Sequence, residues 1–376
     1  MPAELPAKTR IEGFDLARAL AIWGMITVHF WIVMAFHQTQ PAWLHWCIEM
    51  LDGRAAALFV ILAGIGISLR SAATRSKTAA GLADGRPEQS ADPIAAERRT
   101  IMRRGLCLLI VGFLNLTIWK GDILRVYGVS LLVAAFLIDS TDRRVLVASS
   151  FFLIGFVVLM TLSDYDVEWE WETFEYHNLW SARGSFKNLF YNGFRSVFPW
   201  TGLLLFGVWL GRQQLSDREV RRRALVISVG LAVTAEIVSA FLVRFFRENS
   251  GGLDRSTIVA LFGTVSMPPL PFFLLAAAAM AVAVIAASLT VAERFSKAFA
   301  IRALVACGQM AFTWYVLHIV LGLGGLIVLG LLDNQSLPAA VSSAAAFFIL
   351  ITLISLAVCA GGRRGPLEWL VRKVAG

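Results

Sequence analysis

Charge is scarce in this chain. Asp, Glu, Lys and Arg make up 16% of 376 residues against 57% hydrophobic, and the mean hydropathy is +0.69. So little charge excludes an ordinary soluble domain, in which about a quarter of the residues are charged. Cysteine is scarce too: Cys107, Cys307 and Cys359 fall in apolar runs and Cys47 stands alone in a short loop, so neither disulfides nor a metal site is expected. The chain lacks Gly-x-Ser-x-Gly, His-Glu-x-x-His, a P-loop and paired-cysteine motifs, which removes support for hydrolytic, metal and nucleotide-hydrolysing chemistry. Short alternating segments of the kind that build membrane barrels are also missing.

What fills the chain is a series of long apolar runs. Each bilayer crossing takes about 20 mostly apolar residues whose backbone bonds are all made internally, so helices are the expected spanning element. The expected fold is all-α: a polytopic integral membrane protein with about ten transmembrane helices, near 14–36, 54–69, 101–118, 123–138, 145–162, 196–211, 224–245, 268–291, 303–331 and 338–360. Residues 71–100, which contain Pro87 and Pro93 and lack apolar periodicity, are expected as a flexible cytoplasmic connector. The loop at 163–195 sets Asp164, Asp166, Glu168, Glu170, Glu172 and Glu175 among Trp169, Trp171, Phe174 and Trp180. Its aromatics suit an interfacial belt or a sugar-stacking surface. No internal repeat or second domain is visible, so 1–376 is expected as a single transmembrane domain. The first apolar run is too long for a cleaved leader and is followed by no Ala-x-Ala-like site, so it is expected to stay as an insertion signal.

Ten helices put both termini on one side of the membrane. With the N-terminus cytoplasmic, the cytoplasmic segments hold 24 Lys and Arg and the opposite loops hold 9, Arg18 completing the 34. Basic residues gather in cytoplasmic loops, so the expected orientation is N-in, C-in, with the acidic Trp-rich loop outside. The same placement accounts for the net charge of +8 without a nucleic-acid partner.

Ionisable residues inside apolar runs are costly and are functional candidates by default. Arg18 and His29 lie on nearly the same face of the first helix, about three turns and roughly 16 Å apart. His318 falls in the outer half of the ninth helix, while Asp52 with Arg54 and Asp122 with Arg125 open two others on the outer side. Together they suit a polar chamber open outward. Each has a plainer reading: a histidine bonded to a carbonyl, an aspartate capping a helix, arginines anchored at the interface. Glu236 is read as the structural partner of an arginine or serine. Gly64-x-Gly66 and Gly322-x-Gly324-Gly325 are read as packing sites.

Ile11-Glu-Gly-Phe-Asp15-Leu-Ala-Arg18-Ala-Leu-Ala-Ile-x-Gly-Met-Ile-x-Val-His29 resembles the first-helix signature of the transmembrane acyltransferase superfamily. Phe198-Pro-Trp-x-Gly-x-x-x-x-Gly207-x-x-x-Gly211-Arg212 and Gly308-Gln309-Met310-Ala-Phe-x-Trp-Tyr315-x-x-His318 are similar to its heparan-alpha-glucosaminide N-acetyltransferase-like branch. Asp52-Gly53-Arg54-Ala-x-x-Leu-Phe, Gly121-Asp122-Ile-Leu and Gly365-Pro366-Leu-Glu368-Trp369-Leu look like the YeiB-type bacterial branch, which often carries Asn at the position of His29.

The resemblance implies transfer of an acyl group, acetyl foremost, from cytoplasmic acyl-CoA to a hydroxyl or amine of an extracytoplasmic saccharide, at the bacterial inner membrane. It implies that His29 is the catalytic base or transient acyl carrier and that Arg18 pairs with a CoA phosphate. Asp122, Asp52 or His318 would orient the imidazole, and Asp52, Arg54 and Arg125 would face the acceptor. The expected partners are the bilayer, the acyl donor and the saccharide acceptor, with no metal and no nucleic acid; a homodimer is compatible with the sequence. Two other readings stand beside it. One is a proton-coupled transporter or exporter using His29, Glu236 and His318, although the helix breaks such folds use are not evident in the sequence. The other is a non-catalytic membrane scaffold.

Overall fold

The computed structural model describes residues 10–36, 38, 41–83 and 92–375, with the backbone alone for 77–83. Lys8, His37 and residues 84–91 of the expected connector lie outside the described residues. An apolar run in lipid can satisfy its backbone only as a helix, and the chain is helical almost throughout. In order come α1 (Glu12–Ala35), α2 (Ala42–Glu49), α3 (Arg54–Ala83), α4 (Pro93–Leu116), α5 (Leu124–Leu137) and α6 (Asp142–Leu162). Next are β1 (Trp169–Glu170), β2 (Glu175–Tyr176), α7 (Ala182–Lys187), a π-helical turn (Asn188–Asn192), α8 (Val197–Leu210), α9 (Arg218–Asn249) and α10 (Arg255–Phe262). The last part holds α11 (Pro271–Arg294), α12 (Phe299–Gln309), α13 (Ala311–Leu317), a second π-helical turn (His318–Leu323), α14 (Gly324–Val328), α15 (Leu337–Ala360) and α16 (Pro366–Ala375).

The protein is thus a helical polytopic membrane protein. Among the described residues seven helical segments are long and apolar enough to cross a membrane, while α5, α8 and α12 are apolar but shorter. Three stretches differ from the sequence-based expectation. Residues 71–83 continue α3 and 93–100 open α4, because an Ala-rich segment favours helix even without an apolar stripe. Asp92 accepts the Ile94 N–H at 2.9 Å and Pro93 occupies the first helical position, which fixes the start of α4.

Residues 163–195 are folded rather than an open loop. β1 and β2 pair antiparallel, and Trp169 stacks on Trp171 at 4.5 Å over the buried Tyr176 and Leu179. Two of the expected platform aromatics therefore pack against each other, whereas Trp180 is exposed. The third difference is the expected ninth helix, which is interrupted at Met310 (φ −108°, ψ 22°) and widened into a π turn at His318.

α1 is the central element and packs against α3, α11, α12 and α15, whereas α6, α9 and α15 turn most of their apolar residues outward. Since lipid is as apolar as leucine, helices in a bilayer associate through close backbone approach. Gly64 of α3 and Gly207 of α8 supply it: a Cβ on Gly64 would stand 2.0 Å from the Leu204 carbonyl oxygen, and one on Gly207 2.2 Å from that of Ile61. Gly324 and Gly325, read as packing glycines, face open space. Glu236 on α9 accepts from Arg54 at 2.5 Å and from the Thr264 hydroxyl at 2.8 Å, the structural partnership expected of it.

Candidate active site

α1 carries His29 to the middle of the bundle, where it meets His318 at the start of the second π turn. His29 Nδ1 lies 2.8 Å from His318 Nε2, both rings are buried, and their centroids are 5.0 Å apart. His318 Nδ1 lies 3.1 Å from the Trp314 carbonyl oxygen. A carbonyl only accepts, so His318 Nδ1 holds a proton and donates it. In a neutral imidazole His318 Nε2 is then a lone pair, which accepts from His29 Nδ1–H. The chain of bonds leaves His29 Nε2 with a free lone pair, the atom a general base requires.

The break at Met310 sets His318 in place. A helix that restarts exposes unpaired N–H groups. Glu368 of α16 meets them: its Oε1 accepts from Phe312 N–H at 2.8 Å and Thr313 N–H at 3.0 Å, and its Oε2 from the Thr313 hydroxyl at 2.5 Å. The short helix held in this way carries Tyr315 and leads into His318. A π turn such as the one at His318 inserts an extra residue into the helical repeat and is frequent at functional sites.

Two cavities flank the pair. His29 lines a small pocket of about 20 Å³ with Asp52, Gly53, Gly121, Arg195 and Tyr315. Asp52 Oδ2 accepts from the Ser266 hydroxyl at 2.5 Å, and its Oδ1, buried without a hydrogen bond among the described residues, lies 3.6 Å from Arg195. Gly53, at φ +68°, makes the turn that delivers Asp52, and a Cβ there would meet Phe273 and Ser266 at 2.6 Å.

The other cavity, about 790 Å³, opens between α1, α3, α4, α5, α12 and α16 and is lined by seven arginines against one glutamate. Arg18 is among them and is bonded to Asp15 at 2.5 Å; Arg10 shares that carboxylate, which raises the Arg10 guanidinium above its ordinary value. Arg70 pairs with Glu97 at 2.6 Å. Arg104 has its Nε buried without a hydrogen-bond partner among the described residues.

At the inner end of this chamber Phe59 and Tyr127 meet edge to face at 5.8 Å, and the Tyr127 hydroxyl is buried without a hydrogen-bond partner among the described residues. Phe59 stacks on Tyr315 at 6.3 Å, and Tyr315 accepts the Ile123 N–H at 3.2 Å. A single aromatic layer therefore separates the basic chamber from the histidine pocket. Among the described residues no group of His, Cys, Asp and Glu is placed to hold a metal ion.

The chain was compared with known families. Residues 10–240, well over half the chain, match the family described as heparan-alpha-glucosaminide N-acetyltransferase, catalytic. The chain belongs to that family. Its C-terminal part, residues 208–376, matches a second family described only as a protein of unknown function, DUF418. No curated protein and no solved structure matches the chain. Membership of the heparan-alpha-glucosaminide N-acetyltransferase family points to membrane acetyltransferase activity and bears out the resemblance seen in the motifs.

In this member of the family the sequence-selected residues divide. His29, His318 and Asp52 converge on the histidine region, and Arg18 enters the basic chamber. Asp122 accepts from Asn115 at 2.8 Å and from Arg125 N–H at 3.1 Å, so it caps α5 instead of touching an imidazole. Arg125 donates to Asn188 at 3.1 Å and lines neither cavity. Arg54 is committed to Glu236 and the Glu49 carbonyl. Of the groups expected to orient His29, only His318 is hydrogen-bonded to it.

Sequence reasoning missed Arg10, Arg70, Arg104, Arg363, Arg364 and Arg372, which read as topology signals because they come from four separate segments. It also passed over Arg195, Tyr127, Tyr315 and Glu368. Tyr315 and Glu368 do lie inside the family-like motifs, a signal that would have found them.

Proposed function

We propose that this chain is a membrane acyltransferase that moves an acyl group, acetyl foremost, from acyl-CoA held in the basic chamber to a hydroxyl or amine of a saccharide presented at the His29 pocket. The observation that carries this reading is the free lone pair of His29 Nε2, set by the His318–Trp314 bonds and one aromatic layer away from a seven-arginine chamber. That chamber has the size of small-molecule sites, roughly 300–1,000 Å³. Arg18, Arg104 and the Arg363–Arg364 pair supply forked donors for phosphates, and the Tyr127 hydroxyl offers a donor near the thioester end.

His29 Nε2 takes the proton of the acceptor O–H or N–H as that atom attacks the thioester carbonyl. The new C–O or C–N bond forms, the C–S bond breaks, and the proton on the His29 imidazolium passes to the departing thiolate. His318 receives the Nδ1 hydrogen bond throughout, which holds the ring and spreads the charge. Arg10, Arg70, Arg104 and Arg363 come from chain segments at one end of the bundle, the cytoplasmic end in the N-in, C-in orientation that we favour from the distribution of basic residues. In that orientation the acidic, tryptophan-rich segment lies outside, at a bacterial inner membrane.

The decisive experiment follows CoA release and acyl transfer by the purified protein with a saccharide panel, alongside thermal shifts with acetyl-CoA, longer acyl-CoA and free CoA. Transfer should require His29, and His29→Ala should still insert and bind CoA. Full transfer by His29→Ala, or no thermal shift with any of these donors, overturns the reading.

The interrupted helix at Met310 favours a second reading, proton-coupled transport, because transporters place broken helices at their binding sites. Here, however, the restarted helix end is capped by Glu368 instead of facing an open site. Uptake into vesicles driven by a proton gradient without acyl-CoA consumption would establish transport.

A further inference from the structure

The C-terminal helix α16 has two working faces. Glu368, Val371 and Arg372 point into the basic chamber and form part of its wall. The opposite face carries Trp369, Leu370 and Val374, which are 55%, 44% and 57% exposed, with Lys373 5.1 Å from the Trp369 ring centre. Apolar residues so exposed on a ten-residue helix need a covering, and the chain geometry indicates which one. α15 is a 24-residue apolar span, and only the turn Gly361–Gly365 separates it from α16. α16 therefore starts at the level where a membrane span ends. A tryptophan with a lysine over its ring, flanked by leucine and valine, is the composition of a helix lying in the headgroup boundary.

We propose that α16 docks its Trp369–Leu370–Val374 face into the leaflet surface at the end of α15, so that the membrane itself holds the chamber wall in place. The same docking reaches the histidine pair. Glu368 is rigidly shared: it lines the chamber, and it caps the short helix that bears Tyr315 and leads to His318. The Leu367 N–H also donates to the Thr313 hydroxyl at 3.1 Å, so four hydrogen bonds tie α16 to α13. A leaflet that holds α16 thus holds both the donor wall and the helix that orients His29. The functional half of this inference rests on the basic chamber being the acyl-CoA site.

The test uses the full chain in lipid nanodiscs. A nitroxide is placed at Val374→Cys after replacement of Cys47, Cys107, Cys307 and Cys359, and its relaxation by oxygen, which partitions into lipid, is compared with that by a water-soluble nickel chelate. Docking predicts stronger relaxation by oxygen. Stronger relaxation by nickel, or shielding from both by a second copy or another protein surface, overturns it. Independently, Leu370→Glu combined with Val374→Glu should raise the acyl-CoA KM about tenfold and lower kcat, while Leu370→Ile changes neither. An unchanged donor KM in the double variant overturns the coupling. If wild-type protein binds no acyl-CoA while the label still reports lipid, the donor-site reading fails and the docking stands.

Discussion

His29 and His318 are 289 residues apart in sequence and share one hydrogen bond of 2.8 Å, and the second nitrogen of His318 is fixed to the Trp314 carbonyl. This order of donors makes the two histidines unequal. His29 has a nitrogen free to work, and His318 has none.

Their inequality should appear in kinetics. Removing a general base costs on the order of 10²- to 10⁴-fold, so His29→Ala should lose transfer by that amount, and His318→Ala should lose less, about tenfold to a hundredfold in kcat. His318→Gln, whose amide oxygen still accepts from His29 Nδ1–H, should recover part of it. The donor KM should stay put in each, and an unaltered kcat in His318→Ala would show that the second ring is idle.

The arginines of the chamber should act on donor binding. A hydrogen bond to a charged group contributes roughly 1.5–3 kcal/mol, so Arg18→Gln or Arg104→Gln should weaken acyl-CoA about tenfold or more. Free CoA should weaken in parallel if, as proposed, the phosphates and not the thioester are held there. A loss confined to acyl-CoA, measured by calorimetric titration of both ligands, would place these side chains at the acyl end instead.

Arg54 is almost fully buried and depends on Glu236, which is itself about a third exposed. Removing one partner of such a pair strands a buried charge, and because Glu236 is partly exposed Glu236→Ala should cost about 3 kcal/mol, the lower end for a buried pair. Arg54→Met together with Glu236→Leu should recover most of the loss. Heating the detergent-solubilised protein and measuring the monodisperse fraction reads both; a double variant no better than Glu236→Ala would deny the pairing.

Gly64 and Gly230 make a contrast within α3 and α9. A Cβ on Gly64 would overlap a backbone carbonyl that cannot yield, so Gly64→Ala should cost at least the 1–3 kcal/mol typical of overpacking and lower the yield of folded protein. Gly230 has nothing within 4 Å of an added Cβ, and Gly230→Ala should be neutral or stabilise by up to about 1 kcal/mol. Equal yields for the two variants would mean that the α3–α8 contact is looser than it is drawn.

Much of the fold was legible in hydropathy because a bilayer leaves an apolar run almost no alternative to a helix. All ten expected helical stretches are helical, most with ends within a few residues. The folded segment at 163–195 and the helical ends of the expected connector were not legible. Their structure comes from Trp169 stacking on Trp171 and from the helix preference of alanine, neither of which leaves an apolar period. The site was half legible: Arg18 and His29 share a helix, and spacing alone puts them on one face.

The sequence by itself determined the membrane class, the helical stretches and the residues worth suspecting, since the free energy of placing a side chain in lipid is a local property. Only the tertiary structure decided which suspects act together. Arg54 went to an ion pair because Glu236 comes from a distant helix, Asp122 went to a cap shared with its near neighbours Asn115 and Arg125, and six further arginines joined Arg18 because four chain segments end at one place. The break at Met310 belongs to the same class of fact. A Gln-Met pair carries no signal to stop a helix, and the interruption is stabilised by the Glu368 carboxylate supplied from nearly 60 residues further along the chain.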